Sequence, residues 1–292
     1  MKNKRKLNES DDAVVGIVVT VLLIGLILAV TVMINNVYVP QWLEQEEISH
    51  MDTVSNQFTD LKHALDLQTI LNHTSSVASF ITLGSREIPF FDQGRTFGSL
   101  AIVPDSCIIR VNYSYQGNKL NDTFATDSIT YRSGNSYYTN QKFIYQAGAL
   151  ILEQDEKNVL LANPSLIVKR PEDTKNISFL FVDISGIEGK MSVGGFGNYA
   201  VHTRVVDPSM DYVKCTNVSK ITIETDYLNA WNTSLRRSFL QPELSVNYSA
   251  NIIDDKLIIT FHTDELGDYY YDFYIRTVEV PTEIGYGLTN IS

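Results

Sequence analysis

The chain has 292 residues and carries 34 acidic against 23 basic side chains, a net charge of −11, with only two cysteines. Such a length holds one large domain or two ordinary ones with proper cores, so size excludes little. The acidic balance argues against nucleic acid as a partner, because binding a phosphate backbone requires a basic face that displaces counterions.

The charge is unevenly placed. Residues 1–12 set Lys2, Lys4, Arg5 and Lys6 against Glu9, Asp11 and Asp12, which leaves −12 for everything that follows. From Ala13 to Ile34 there are then 22 residues without a charge, interrupted only by Gly16, Thr20, Gly25 and Thr31. As a helix this run measures roughly 33 Å, enough for a hydrocarbon core of about 30 Å. A single membrane span over 13–34 is therefore expected. Its basic leader places the amino terminus inside, Tyr38 and Trp42 fall where an outer aromatic belt would lie, and the chain beyond residue 37 is expected outside. The apolar core is longer than that of a secretory signal, and Asn35-Asn36-Val37-Tyr38 offers no small-residue cleavage site, so removal after the run is not expected. Gly16 with Thr20 and Gly25 with Ala29 form two small-xxx-small pairs, which permit close helix approach or are simply tolerated in a span.

Beyond Pro40, residues Ile48, Met51, Val54, Phe58, Leu61 and Leu65 recur at spacings of three and four, the stripe of an amphipathic helix. Residues 35–74 are read as an extracellular stem helix whose apolar face needs a partner. Asn35, Asn36 and Pro40 predict a kink or break at its start, since a proline removes a helix donor and clashes with the preceding turn.

From about residue 75 to 292 the pattern changes to short alternating runs rich in β-branched and aromatic residues. Cys107–Tyr113, Ser178–Ile184, Lys220–Thr225, Lys256–Phe261 and Tyr270–Val278 read as strands. Turn signals at 133–135, 194–197 and Asp254-Asp255 suit an antiparallel sandwich or meander. Ala230–Leu240, between Asp226 and Pro242, reads as one later helix. The predicted fold class is α+β: a long amino-terminal transmembrane and stem helix followed by a β-rich extracellular head.

Two features fit an exterior head. Residues 35–292 contain 19 Asn, and Ser plus Thr fill 44 of those 258 positions, so chance predicts roughly three N-glycosylation sequons. Eight are present, at Asn72, Asn112, Asn121, Asn176, Asn217, Asn232, Asn247 and Asn290, the last close to the terminus. Unused sequons on a polar surface are the alternative. Cys107 and Cys215 have no CxxC or His neighbour of metal-site type, and are expected to form a single disulfide contributing up to ~4.7 kcal/mol; two buried free thiols are the alternative.

The stretch Asn8-Glu-Ser-Asp-Asp-Ala-Val-Val-Gly-Ile-Val-Val19, with its basic leader and long apolar run, resembles the amino termini of archaeal type IV pilin-like proteins. Asp11-Asp12-Ala13-Val14 matches the opening of that family's run and Val15-Gly16 follows, whereas the family's Ser-Pro pair is absent. The resemblance implies that a prepilin peptidase cuts the leader on the cytoplasmic side, with Ser10, Asp11, Asp12 and Ala13 as the processing region. It also implies that the apolar helix can pass from lipid into the core of a filament, where other pilin-like subunits are its partners.

No catalytic constellation stands out. The five histidines, His50, His63, His73, His202 and His262, include no HExxH pair; Asp264, Glu265 and Asp268 lack calcium-loop spacing; Gly194–Gly197 lacks phosphate-loop context; and no serine sits in Gly-x-Ser-x-Gly. Tyr269, Tyr270 and Tyr271 could stack on sugars, though cross-strand pairing explains them more cheaply. The expectation is a non-enzymatic surface protein without metal or cofactor, a minor or accessory subunit of a pilus-like assembly. The alternative is a permanently anchored module that grips a surface glycan or another protein.

Overall fold

The computed structural model describes residues 7–85, 96–169, 175–206, 212–239, 246–263 and 271–285, with side chains from Val14 onward. Helix α1 (Leu7–Met33) runs through a five-residue π-helical turn (Ile34–Tyr38) into α2 (Val39–Leu71). Of the kink or break expected near Pro40, the break does not occur: the helix continues through a widened turn. Pro40 sits in the first turn of α2, where its missing N–H costs least, and the Val39 N–H bonds the Ile34 carbonyl five residues back. The outcome is one long apolar helix at the amino-terminal end followed by a β-rich domain. Asn72 closes α2 in the left-handed conformation, its N–H bonded to the Gln68 carbonyl.

The β domain is two curled sheets. One contains β1 (Val77–Thr82), β7 (Leu166–Lys169), β8 (Lys175–Gly186), β10 (Asn198–Thr203), β11 (Val213–Cys215) and β15 (Tyr271–Gly285), in the order β1-β10-β15-β8-β7, with β11 also on β15. The other contains β2 (Phe97–Tyr115), β3 (Asn118–Gly134), β4 (Gln141–Gln146), β5 (Ala149–Gln154), β6 (Lys157–Ala162), β9 (Ser192–Gly195), β12 (Lys220–Glu224), β13 (Tyr248–Ile253) and β14 (Lys256–Phe261). Its order is β13-β14-β12-β2-β3-β4-β5-β6, with β9 beside the first part of β2. All pairings are antiparallel except β8 with β15, a twelve-residue parallel ladder from Lys175↔Tyr271 to Gly186↔Thr282. That pair departs from the expected antiparallel scheme. A parallel ladder requires a long crossover, here everything between residues 186 and 271. Helix α3 (Leu228–Phe239) covers one end.

Local chemistry explains the hairpins. Gln116-Gly117, Ala147-Gly148, Asp155-Glu156 and Asp254-Asp255 all have positive φ at both central positions, the mirror-image turn whose twist matches paired strands. Between Val103 and Cys107 the ladder of β2 with β3 slips, and Asp105 has φ 47°. Before the slip Gly98, Leu100 and Ile102 point inward; after it Cys107, Ile109 and Val111 do. A bulge of this kind bends a strand and re-aims its side chains.

The bend divides the interior into two cores. Around α2, the residues Met51, Val54, Phe58, Leu61 and Leu65 pack with Ile81, Leu83, Tyr131, Phe143, Tyr145, Val278 and Val280. The second core gathers Trp231, Phe239, Ile221, Ile223, Phe261, Phe273 and Ile275 under α3. Thus the apolar stripe of α2 finds its partner in the chain's own sheets. Contacts advance together along both elements: Glu47 meets residues 136–138, Gln57 meets Thr82, and Gln68 meets Thr203. The strands therefore lie alongside α2, with a near end towards α1 and a far end at the Gln116-Gly117 turn, over about 50 Å.

Candidate functional site: the free apolar helix and its mooring to the head

From Val14 to Met33 every side chain of α1 is exposed, although valine, leucine and isoleucine dominate the run. The few polar groups are turned back on their own helix. Thr20 donates to the Gly16 carbonyl and Thr31 to the Ile27 carbonyl, both at 2.8 Å, while Asn36 Nδ2 donates to the Val32 carbonyl at 3.0 Å. The surroundings of α1 are thus asked to satisfy none of these side chains. Nine residues separate Gly16 from Gly25, so the Gly16/Thr20 and Gly25/Ala29 pairs lie about 180° apart on the helix. Open space surrounds both glycines. Ser10, Asp11, Asp12 and Ala13 belong to the first turns of α1, and their side chains lie outside the described residues.

Polar contacts fasten α2 to the head at four levels. Nearest α1, the buried Glu47 carboxylate accepts three successive backbone N–H groups, from Ser136 at 2.9 Å, Tyr137 at 2.8 Å and Tyr138 at 2.6 Å. Three converging amides make an anion cradle, and the helix supplies the anion. Next, His50 shares a 3.2 Å hydrogen bond with the Tyr131 hydroxyl, which itself donates to the Leu83 carbonyl. Burial holds the His50 pKa below its ordinary value, with partial relief from the Leu83 carbonyl, Glu46 and Glu47. Gln57 then pairs reciprocally with Thr82 of the edge strand β1, through its N–H and its hydroxyl at 2.9 Å each. At the far end Gln68 donates to the Thr203 and Ser75 carbonyls and accepts from the Thr203 hydroxyl.

Sequence reasoning missed these contacts, though a trace of them was there. Glu47 lies four residues before Met51, and Gln68 three after Leu65. Both are polar residues on the apolar stripe, where a buried partner is required.

Two of the sequence expectations concern pairs of residues. Cys107 and Cys215 are both buried free thiols, so the expected disulfide is corrected. Thr216, next to Cys215, exchanges hydrogen bonds with Ser114, seven positions along the regular part of β2 from Cys107. At ~3.3 Å per strand residue that is roughly 20 Å, against the 7 Å beyond which two Cα atoms cannot be bridged. Burial pushes both thiols up, that of Cys215 to about 12, with Asp122 adding to it.

Five of the seven described sequons, Asn112, Asn121, Asn176, Asn217 and Asn247, fall at the far end. Asn112 and Asn121 face each other in the β2–β3 ladder close to its turn; Asn176 stands opposite Asp272; Asn217 donates its N–H to the Asp272 carboxylate; and the Asn247 N–H donates to the Tyr271 hydroxyl oxygen at 2.7 Å. Asn232 lies on α3, and Asn72 ends α2, accepting from Arg276. Asn217 and Asn247 are exposed, as is Asn121; the other four are half-buried. Asn290 lies outside the described residues.

Of the remaining candidates, Tyr271 packs its ring on Phe261 at 4.8 Å, whereas Tyr269, Tyr270 and the acidic run at Asp264, Glu265 and Asp268 lie outside the described residues. Gly194 and Gly195 belong to β9 and pair with Ser99 and Gly98, so part of the expected turn is strand. Among the described residues no group of three or more His, Cys, Asp or Glu side chains is placed to hold a metal ion. A polar groove of about 410 Å³ lies between α2 and β1, lined by Glu46, Ser49, His50, Thr53, Thr82 and Asn198 with Gly84 and Ser85. Comparison with protein-family models, with curated proteins and with solved structures finds no match for this chain.

Proposed function

We propose that this chain is a membrane-anchored archaeal surface protein of type IV pilin-like character, without enzymatic activity, acting as a minor or accessory subunit of a pilus-like assembly or in adhesion. The observation that carries the reading is α1: apolar all round, exposed on every side, and continuous with a helix built into the head's core. Lipid and the helical centre of a filament are the two surroundings that bury such a surface without leaving backbone groups unsatisfied. The two small-residue pairs on opposite sides of α1 fit a helix with neighbours on both flanks. In this reading the amino terminus is cytoplasmic, the head is extracellular and carries glycans, and a prepilin peptidase cuts within residues 10–13. Transfer of α1 from bilayer to filament exchanges lipid contacts for protein contacts, and the continuous α1–α2 helix carries the head with it.

The test is cell fractionation combined with mass spectrometry of the mature amino terminus. Sheared filaments containing the chain, with residues near 1–12 lost only when a prepilin peptidase is present, support assembly. An intact amino terminus confined to membranes refutes it and favours the second reading, a permanently anchored binding module. The polar groove beside His50 supports that second reading, since its hydroxyls, amide and carboxylate suit a small polar ligand such as a sugar.

A further inference from the structure

The near end of the head carries a set of aromatic side chains that its cores do not use. Phe97 opens β2 and is 59% exposed; Phe196, just after β9, is 47% exposed; Tyr137, in the loop held by Glu47, is 44% exposed. Phe97 and Phe196 meet edge to face at 5.9 Å. Their position is fixed rather than incidental. A Cβ on Gly84 would lie 2.7 Å from that of Phe196, and one on Gly98 would lie 2.2 Å from the Leu83 carbonyl, so both strands are pressed together here. Gly84 lines the same groove as Glu46 and His50, and the Tyr137 N–H is bonded to Glu47. All three aromatics therefore stand level with residues 46–50 of α2.

That level can be compared with a bilayer. The sequence has no charged side chain from Ala13 to Leu43, and Glu44 is the first acid beyond. Thirty-one helical residues measure about 46 Å, close to the 40–45 Å of a bilayer with both headgroup layers. Glu44 then stands at the outer surface and Tyr38 and Trp42 lie within the headgroup layer, where Val39 and Leu43 are buried, so the chain covers one face of α2 down into that layer; residues 46–50 follow about 3–9 Å above the surface. An independent observation points the same way: five of the seven described sequons, Asn112, Asn121, Asn176, Asn217 and Asn247, lie at the far end, where their glycans would not separate the base from lipid.

We propose that the base of the head rests on the bilayer's outer headgroup layer, with Phe97, Phe196 and Tyr137 reaching its outer edge as an aromatic footing. The occupant of this surface is phospholipid or an equivalent polar lipid, recognised by the preference of aromatic rings for the membrane–water interface. The inference rests on the reading of α1 as a span. Its consequence is orientation: a head held both by α2 and by its footing keeps its glycan-bearing far end pointing outward.

The test uses the full chain reconstituted in phosphatidylcholine nanodiscs, with a nitroxide attached to one introduced cysteine at a time; Cys107 and Cys215 are both fully buried. Labels at Phe97→Cys, Phe196→Cys and Tyr137→Cys are compared with Val19→Cys in the span and Lys119→Cys at the far turn. Collision with oxygen against a water-soluble nickel chelate reports depth. The footing is supported if the three basal labels fall between the two references and lose several-fold of the nickel accessibility seen at Lys119→Cys. It is overturned if they match Lys119→Cys while Val19→Cys remains in hydrocarbon, a result that leaves the span intact. Water exposure at Val19→Cys would overturn the span and the footing together. Circular dichroism of each variant confirms that the head is folded.

Discussion

Replacing Glu47 by alanine removes the only anion from a cradle of three backbone N–H groups, and its effect follows from the geometry. The carboxylate is 2% exposed, and its acceptor distances are 2.6–2.9 Å. A hydrogen bond to a charged group contributes about 1.5–3 kcal/mol, and an unsatisfied buried N–H costs about 1–3 kcal/mol. These contributions do not add fully, because the loop at 135–140 can open to admit water on truncation. A net loss of about 3–5 kcal/mol is expected, well below the sum of those contributions. For a domain of this size each kcal/mol moves the midpoint by about 2–4 °C, so Glu47→Ala should melt at least ~6 °C lower. Thermal unfolding of the full chain in detergent, followed by near-ultraviolet circular dichroism, measures it. Glu47→Gln can keep one acceptor oxygen, yet it turns an amide donor towards one of the N–H groups, and should lie between wild type and alanine. Formate or acetate at tens of millimolar should raise the midpoint of Glu47→Ala and not of wild type, by refilling the cradle. A drop below ~2 °C for Glu47→Ala, or glutamine as costly as alanine, would refute the claim that this carboxylate ties α2 to the head.

Three further outcomes are expected. Gln146, fully buried, donates to Ser106 and accepts from Thr225 and from Trp231 Nε1 at 3.0 Å, so Gln146→Leu should cost about 2–4 kcal/mol by urea titration, with Trp231 emission changed in the folded state. Burial, with help from Glu279 and Asp127, pushes Asp183 up to about 6. A raised carboxyl pKa means that the folded state binds the proton more tightly, so this group destabilises the fold above pH 6 and the loss is recovered as pH falls from about 6 towards 4. Asp183→Asn should therefore stabilise the protein by about 1 kcal/mol at pH 7.5, allowing for its partial exposure, and flatten midpoints compared at pH 5 and 7.5. Cys107 and Cys215 should react with maleimide only in denaturant, and gel mobility should not change with reductant; a mobility shift would contradict the separation derived from the Thr216–Ser114 contact.

What was legible in the sequence was whatever depends on neighbours along the chain. The 22-residue uncharged run and the three-and-four spacing from Ile48 to Leu65 gave the helices, since periodicity and hydropathy are local quantities. Asp254-Asp255 announced its turn because acids and amides tolerate left-handed φ. Pairing across the chain was hidden. Nothing in Lys175–Gly186 says that it runs parallel to Tyr271–Gly285, because both are buried apolar runs compatible with either direction. The disulfide expectation failed for the same reason: two cysteines in sequence carry no information about the seven strand positions that hold them apart. Pro40 marked the place of a disturbance; of the kink or break it predicts, the break is absent, because a π turn keeps the helix continuous there.

The π turn also bears on how the two proposals meet. With the helix running unbroken from α1 into the head's core, tilting the head against the span must bend the π turn, and the continuous helix couples translation of α1 to the head. Sliding α1 out of lipid by one helical turn would lift Phe97, Phe196 and Tyr137 by ~5.4 Å, most of a headgroup layer. An aromatic footing therefore opposes extraction, and entry into a filament must cover those rings with a neighbouring subunit to offset the loss. Anchorage and assembly are then alternative burials of the same two surfaces, the apolar rod and the aromatic base, and substitutions such as Phe97→Ser that weaken the footing should ease departure from the membrane without touching α1.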